Sequence, residues 1–94
     1  MEIDVVKSRI DSQVVQLSNI AKLITALDSN IELEVNPENA VIFAEVIIRK
    51  GNEFEDLVQE LKLNLDIYMQ LLSALNLPIP MSYVKLQRRV NHHT

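Results

Sequence analysis

Apolar residues recur every seven positions through the first third of the chain. Ile3, Ile10, Leu17 and Ile24 form one series, and Val6, Gln13, Ile20 and Leu27 a second, three residues on. Alternating steps of three and four place both series on one side of an α-helix, and a strict seven-residue repeat favours left-handed packing against another helix. The spacing predicts a helix over about 3–28. Val14, Ala21 and Leu23 widen the stripe, as for a helix that touches more than one neighbour.

The pattern then changes. Asp28-Ser29-Asn30 are turn and cap formers, and Ile31-Glu-Leu-Glu-Val35 alternates with period two, which reads as a short extended segment. Asn36-Pro37 reads as a helix start, with the Asn side chain accepting from an early backbone N–H and the Pro placed where no hydrogen bond is lost. From Ala40 to Ile48 the chain is apolar nearly all round and β-branched. That run suits a strand paired with 31–35, or a helix in phase with the segment C-terminal to it. Ala44, Gly51, Val58, Leu65 and Leu72 make one seven-residue series, and Ile47, Phe54, Leu61, Tyr68 and Leu75 the other. Phase favours a helix, straight or bent, over about 37–50 and another over 53–76. Arg49-Lys50-Gly51-Asn52 reads as punctuation between them: cations in a last turn, Gly as a stop, and Asn52 with Glu55 as a capping box. Leu77-Pro78-Ile79-Pro80 closes the helical body. Beyond it Tyr83, Leu86 and Val90 sit at helical spacing, predicting a short amphipathic helix over about 82–90 that docks or orders on binding.

The fold class expected is therefore all-α: an antiparallel helical hairpin or three-helix bundle with coiled-coil-like heptads. Residues 1–77 form one helical domain and 78–94 a basic tail led by prolines.

Composition supports this. The 94 residues hold 10 Ile, 13 Leu and 10 Val, with one Gly, three Pro and no Trp. Such a chain has room for one core and too few turn residues for a sandwich or barrel. Without cysteine there is no disulfide, thiolate zinc site or Cys nucleophile. The N-terminus lacks the basic region and apolar run of a signal peptide, and no segment approaches the roughly 20 apolar residues of a membrane span. Synthesis in the cytoplasm is expected. Charge is uneven: residues 1–77 carry six Lys/Arg against all 13 Asp/Glu, whereas 78–94 carry Lys85, Arg88 and Arg89 and no acid. An acidic body does not suit nucleic-acid binding, which draws its affinity from cations neutralising phosphates.

Candidate chemistry is sparse. Glu53, Asp56 and Glu60 share a helical face that can in principle hold a divalent cation, but a solvated acidic face is the expected state. His92 and His93 read as flexible tail, and one glycine excludes a phosphate-binding loop. No nucleophile and base, Glu-x-x-His pair or cofactor motif is present, so no catalytic, metal or cofactor residue is assigned and enzyme activity is not expected. Gln13, the one polar seam residue, sits either buried and fixing register or at an edge facing water. The expected partner-binding residues are the seam and surplus apolar face: Ile3, Val6, Ile10, Gln13, Leu17, Ile20, Ile24, Ile42, Val46, Phe54, Leu61 and Tyr68. Val41, Ile42, Val46, Ile48, Leu63 and Ile67 lie off the second seam, more apolar surface than one copy buries. The expected cover is a helical partner or a second copy; a tail folded back on the bundle is the alternative.

The opening heptads Met1-Glu-Ile-Asp-Val-Val-Lys-Ser-Arg-Ile10, the break over 28–39, and the second heptad run Glu53 to Leu72 together resemble the layout of type VII secretion accessory proteins. More narrowly, they resemble the helical partners of LXG toxins, relatives of the Trp-Xaa-Gly hairpins. The chain has no Trp-Xaa-Gly turn, and Tyr68 and Tyr83 are followed four residues on by Leu72 and Gln87 rather than by an acid. The resemblance covers residues 1–77. It implies a chaperone-like targeting role, pairing with a toxin's N-terminal helices, and export with that partner by a signal-peptide-independent route. The alternative from a different class is a small phage- or plasmid-encoded regulator or immunity protein that inhibits a protein target through its acidic face.

Overall fold

The computed structural model describes residues 2–93. Its element order is α1 (Glu2–Leu33), α2 (Pro37–Ala74) and α3 (Met81–Asn91). The first two form an antiparallel hairpin whose register is marked by Gln13 of α1 bonding to Asn64 of α2. A 38-residue helix rises about 57 Å, and the molecule measures 59 × 22 × 16 Å, so α2 runs its whole length.

Both heptad seams face inward. Val6, Ile10, Val58, Leu61, Leu65, Tyr68 and Leu72 are buried, with Ile3, Leu17 and Phe54 packed against them. Helix α2 starts as the sequence predicts: Asn36 Oδ1 accepts from the Glu38 N–H at 3.0 Å, and Pro37 occupies the first turn. It ends as firmly. Asn76 adopts φ 55°, and the N–H groups of Asn76 and Leu77 return to the carbonyls of Ser73 and Leu72. That left-handed stop satisfies carbonyls the last turn leaves open, with Asn in the place glycine more often takes.

Two expected interruptions are absent. Residues 31–33 are not extended: α1 continues through Asp28-Ser29-Asn30 to Leu33, with Ile31, one heptad beyond Ile24, half-buried as the next seam residue, and only residues 34–36 lie between the two helices. Five alternating residues cannot form a strand without a partner ladder, whereas a helix already under way needs only the next seam residue. No break occurs at Gly51. The helix passes through it, and Asn52 is an interior helical residue rather than a cap. The apolar phase on both sides of Gly51 outweighs its low helix propensity, about 1 kcal/mol against Ala.

Helix α3 folds back onto the hairpin near the chain's termini. Val90 is buried in the shared core, Tyr83 and Leu86 pack against it, and the Tyr68 and Tyr83 rings meet edge to face at 5.0 Å. His93 is not a loose tail either. Its Nε2 lies 2.7 Å from Glu55 Oε1 and its ring 5.6 Å from that of Phe54.

Candidate functional site

The hairpin divides into two unequal halves. Where α3 lies against it, three helices enclose a core. From about residue 18 of α1 to residue 57 of α2 there are only two helices, and no described residue in that stretch is fully buried. Seam residues there, including Ile20, Ile24, Leu27, Ile31, Ile47 and Phe54, are half-buried. Two helices alone cannot surround a side chain, so this arm leaves its own seam open at both sides.

Large aliphatics add to the exposure. Val41, Ile42 and Ile48 are 57%, 54% and 65% exposed, and Leu23 faces solvent on α1. The expected partner-binding residues therefore fall into two groups. Val6, Ile10, Gln13, Leu61 and Tyr68 are buried inside the chain, and Ile3 is half-buried at the edge of that core. Leu17, Ile20, Ile24, Val46 and Phe54 are half-buried, and Ile42 is exposed. Of the surplus residues, Val41, Ile42, Ile48 and Leu63 are exposed, and Val46 and Ile67 half-buried. Helix α3 folds back as the alternative supposed, but it covers the terminal half alone.

Each side of the arm carries a concavity. On the side that α3 uses, Ala21, Ile24, Thr25, Gly51, Phe54 and Glu55 line a groove of about 310 Å³. It continues the line of α3, beyond whose end His93 contacts Phe54 and Glu55. A Cβ placed on Gly51 meets nothing within 4 Å, so the seam is open there. Ala21, Thr25 and Gly51 keep the floor low. The seven-residue count flagged Gly51 but not the role of Ala21 and Thr25, whose small size matters only once α2 lies opposite them.

On the other side Gln16, Asn19, Ile20, Glu53, Asp56 and Leu57 line a more polar concavity of about 500 Å³. The acidic cluster flagged in the sequence borders it, but two of its members are engaged: Glu53 with Lys50 at 3.1 Å, and Glu60 accepting from Gln13 at 3.4 Å. Among the described residues no group of three or more His, Asp or Glu side chains is gathered closely enough to hold a metal ion.

Gln13 is buried, not at an edge. Its Oε1 accepts from Asn64 Nδ2 at 3.0 Å, and no buried side-chain polar atom among the described residues lacks a partner. Charged groups gather where α3 docks. The Tyr83 hydroxyl donates to Asp11 Oδ1 at 2.8 Å, and Lys7 bonds the other oxygen at 3.1 Å. Burial pushes the Asp11 carboxyl up, but the bonds from Tyr83 and Lys7 together outweigh it and hold the group below its ordinary value. Burial, then the bond to Asp11, raises the Tyr83 phenol. No described helix is long and apolar enough to cross a membrane. Comparison with protein-family models, curated proteins and solved structures finds no match.

Proposed function

We propose that this protein is a helical protein–protein interaction module whose two-helix arm packs against helices of a partner protein. The observation that carries this reading is the open seam: a well-formed heptad stripe runs the length of the hairpin, yet only the terminal half has a third helix over it. Burying a large aliphatic side chain is worth about 1.5–3 kcal/mol. Covering Val41, Ile42 and Ile48 alone therefore offers a partner several kcal/mol. The resemblance of its heptad layout to the helical partners of LXG toxins supports a specific form of this role, chaperone-like targeting of a type VII-secreted toxin.

Co-expression with the N-terminal helical segment of an LXG toxin tests it. The expected result is one co-eluting complex that is severed by Leu23→Asp on one side of the arm or Ile48→Asp on the other, both exposed and so neutral for folding. A chain that stays monomeric and joins no helical segment refutes the reading. A second reading has one observation in its favour: Glu53 and Asp56 border the larger concavity, as an inhibitor working through its acidic face requires. Under that reading Glu53→Lys with Asp56→Lys abolishes binding, while Ile48→Asp does not.

A further inference from the structure

The side of the hairpin that α3 occupies continues past the end of α3 along the arm, where no third helix covers it. Over the filled half, α3 presents Tyr83, Leu86 and Val90 to the core, and Lys85, Arg88 and Arg89 with no acid among its residues. It is fixed at its edges by acceptors on the hairpin: Asp11 for Tyr83, Asp66 for Gln87 and Glu55 for His93. The chain thus shows on itself that this track takes an amphipathic helix, held at its edges by carboxylates.

The vacant half repeats the arrangement. Its floor is Ala21, Ile24, Gly51 and Phe54. Steps of seven residues from the groove-lining Ala21, Thr25 and Glu55 place Asp28, Glu32, Ile48 and Val41 on the same side. All of these are exposed. Lys22 and Arg49 fall on the outer surfaces of their helices, and Lys50, paired with Glu53, falls on the opposite side. The charged residues on the rim of the vacant groove, Asp28, Glu32 and Glu55, are therefore all acidic, around an apolar floor.

We infer that the vacant half of this track binds a basic amphipathic helix of a partner protein, one with apolar residues at i, i+3 and i+7 and Lys or Arg at its flanks. Charge selects this occupant over a second copy of the chain, because two arms laid face to face set Asp28, Glu32 and Glu55 of one against those of the other. Gly51 with Ala21 and Thr25 lets the bound helix approach closely, where any larger side chain at position 51 stands in its way. This assignment rests on the proposed role as a helical interaction module and specifies its face and the partner's charge.

The test titrates the full-length protein with a helix-stapled synthetic peptide of the sequence Met81–His93, followed by chemical-shift changes. The expected result is saturable binding with a Kd on the order of 100 µM or tighter, with shifts at Ala21, Ile48 and Gly51. Affinity is expected to fall roughly tenfold or more between 0.05 and 0.3 M salt, since screening acts on rim charges. The control peptide with Glu in place of its three cations is expected not to bind. Gly51→Leu, which improves a helix interior and has open space around it, is expected to abolish binding without lowering the melting temperature. Asp28→Lys with Glu32→Lys on the exposed rim is expected to do the same through charge alone. Equal binding of both peptides, no saturable binding, or binding that survives Gly51→Leu and the rim reversal each overturns the inference. A co-expressed toxin complex that also survives those variants leaves the interaction role standing and removes only this face and this charge preference.

Discussion

At the scale of single residues, the most consequential group is the buried amide pair. Gln13 and Asn64 share a hydrogen bond inside an otherwise aliphatic seam, and Glu60 accepts from the Gln13 amide at the edge. A satisfied buried pair adds little net stability, but breaking it strands a desolvated group. Asn64→Leu is therefore expected to cost about 1–3 kcal/mol, read by urea denaturation, because Gln13 Oε1 loses its donor. The double variant Gln13→Leu with Asn64→Leu is expected to regain that loss and to unfold as stably as the natural chain. Its price is register: without the directional bonds that Gln13 makes across to α2, slipped or higher-order species should appear in sedimentation. Gln13 is conspicuous in the sequence as the polar member of a heptad series, whereas Asn64 is not. Its position lies beside the seam, and it becomes a core residue only when the antiparallel register brings Gln13 opposite it.

At the scale of elements, heptad phase prevails over local punctuation wherever the two conflict. Gly51 reads as a stop and Ile31–Val35 as a strand when each is taken alone. In the folded chain the α2 seam continues on both sides of Gly51 and α1 carries its seam as far as Ile31 before ending at Leu33, whereas the prolines at 78 and 80 and the Asn76 stop coincide with a real helix end. Gly51 is thus an interior helical glycine with space around it. Gly51→Ala is expected to stabilise the chain by about 1 kcal/mol, raising the melting temperature by roughly 4–8 °C in a domain of this size. Helix α3 depends on chemistry of a different kind. Its docking uses the Tyr83 hydroxyl on Asp11, with Lys7 beside them. Asp11 has a depressed folded-state value, so its contribution is present above the ordinary carboxylate range and lost as pH falls through that lowered value. Tyr83 has a raised value, so its contribution is present below about 10 and lost as pH rises through the higher one. Near-UV circular dichroism of the packed Tyr68 and Tyr83 rings is expected to hold steady between these limits and to weaken in acid and in strong base. Tyr83→Phe keeps the ring packing and removes the hydroxyl, and is expected to flatten both limbs while leaving the mid-range signal from Tyr68 in place.

At the scale of the whole molecule, stability and exposure are distributed along the 59 Å axis in opposite directions. The aliphatic count implies more apolar surface than one copy buries, but it does not say where the surplus lies. That depends on where α3 lands, a tertiary fact that its spacing of Tyr83, Leu86 and Val90 leaves open. Because α3 lands at the terminal end, that end acquires every fully buried residue described, and the arm keeps half-buried seams and exposed Val41, Ile42 and Ile48. Local opening is easiest where few apolar contacts close around the backbone. Amide hydrogen exchange is accordingly expected to be slowest over residues 6–17 and 58–72. Over residues 20–54 it should be faster by about tenfold or more, corresponding to about 1.4 kcal/mol or more of local opening free energy. The gradient is expected to invert the helix propensities at one point: Ala44 and Glu45 exchange faster than Asn64, although Asn is the poorer helix former, because Asn64 is buried and they are not. Uniform protection along α2 would show that the two-helix arm is closed by itself and needs no partner. A steep gradient that collapses when a helical partner is added would place the missing third helix of the arm on another protein.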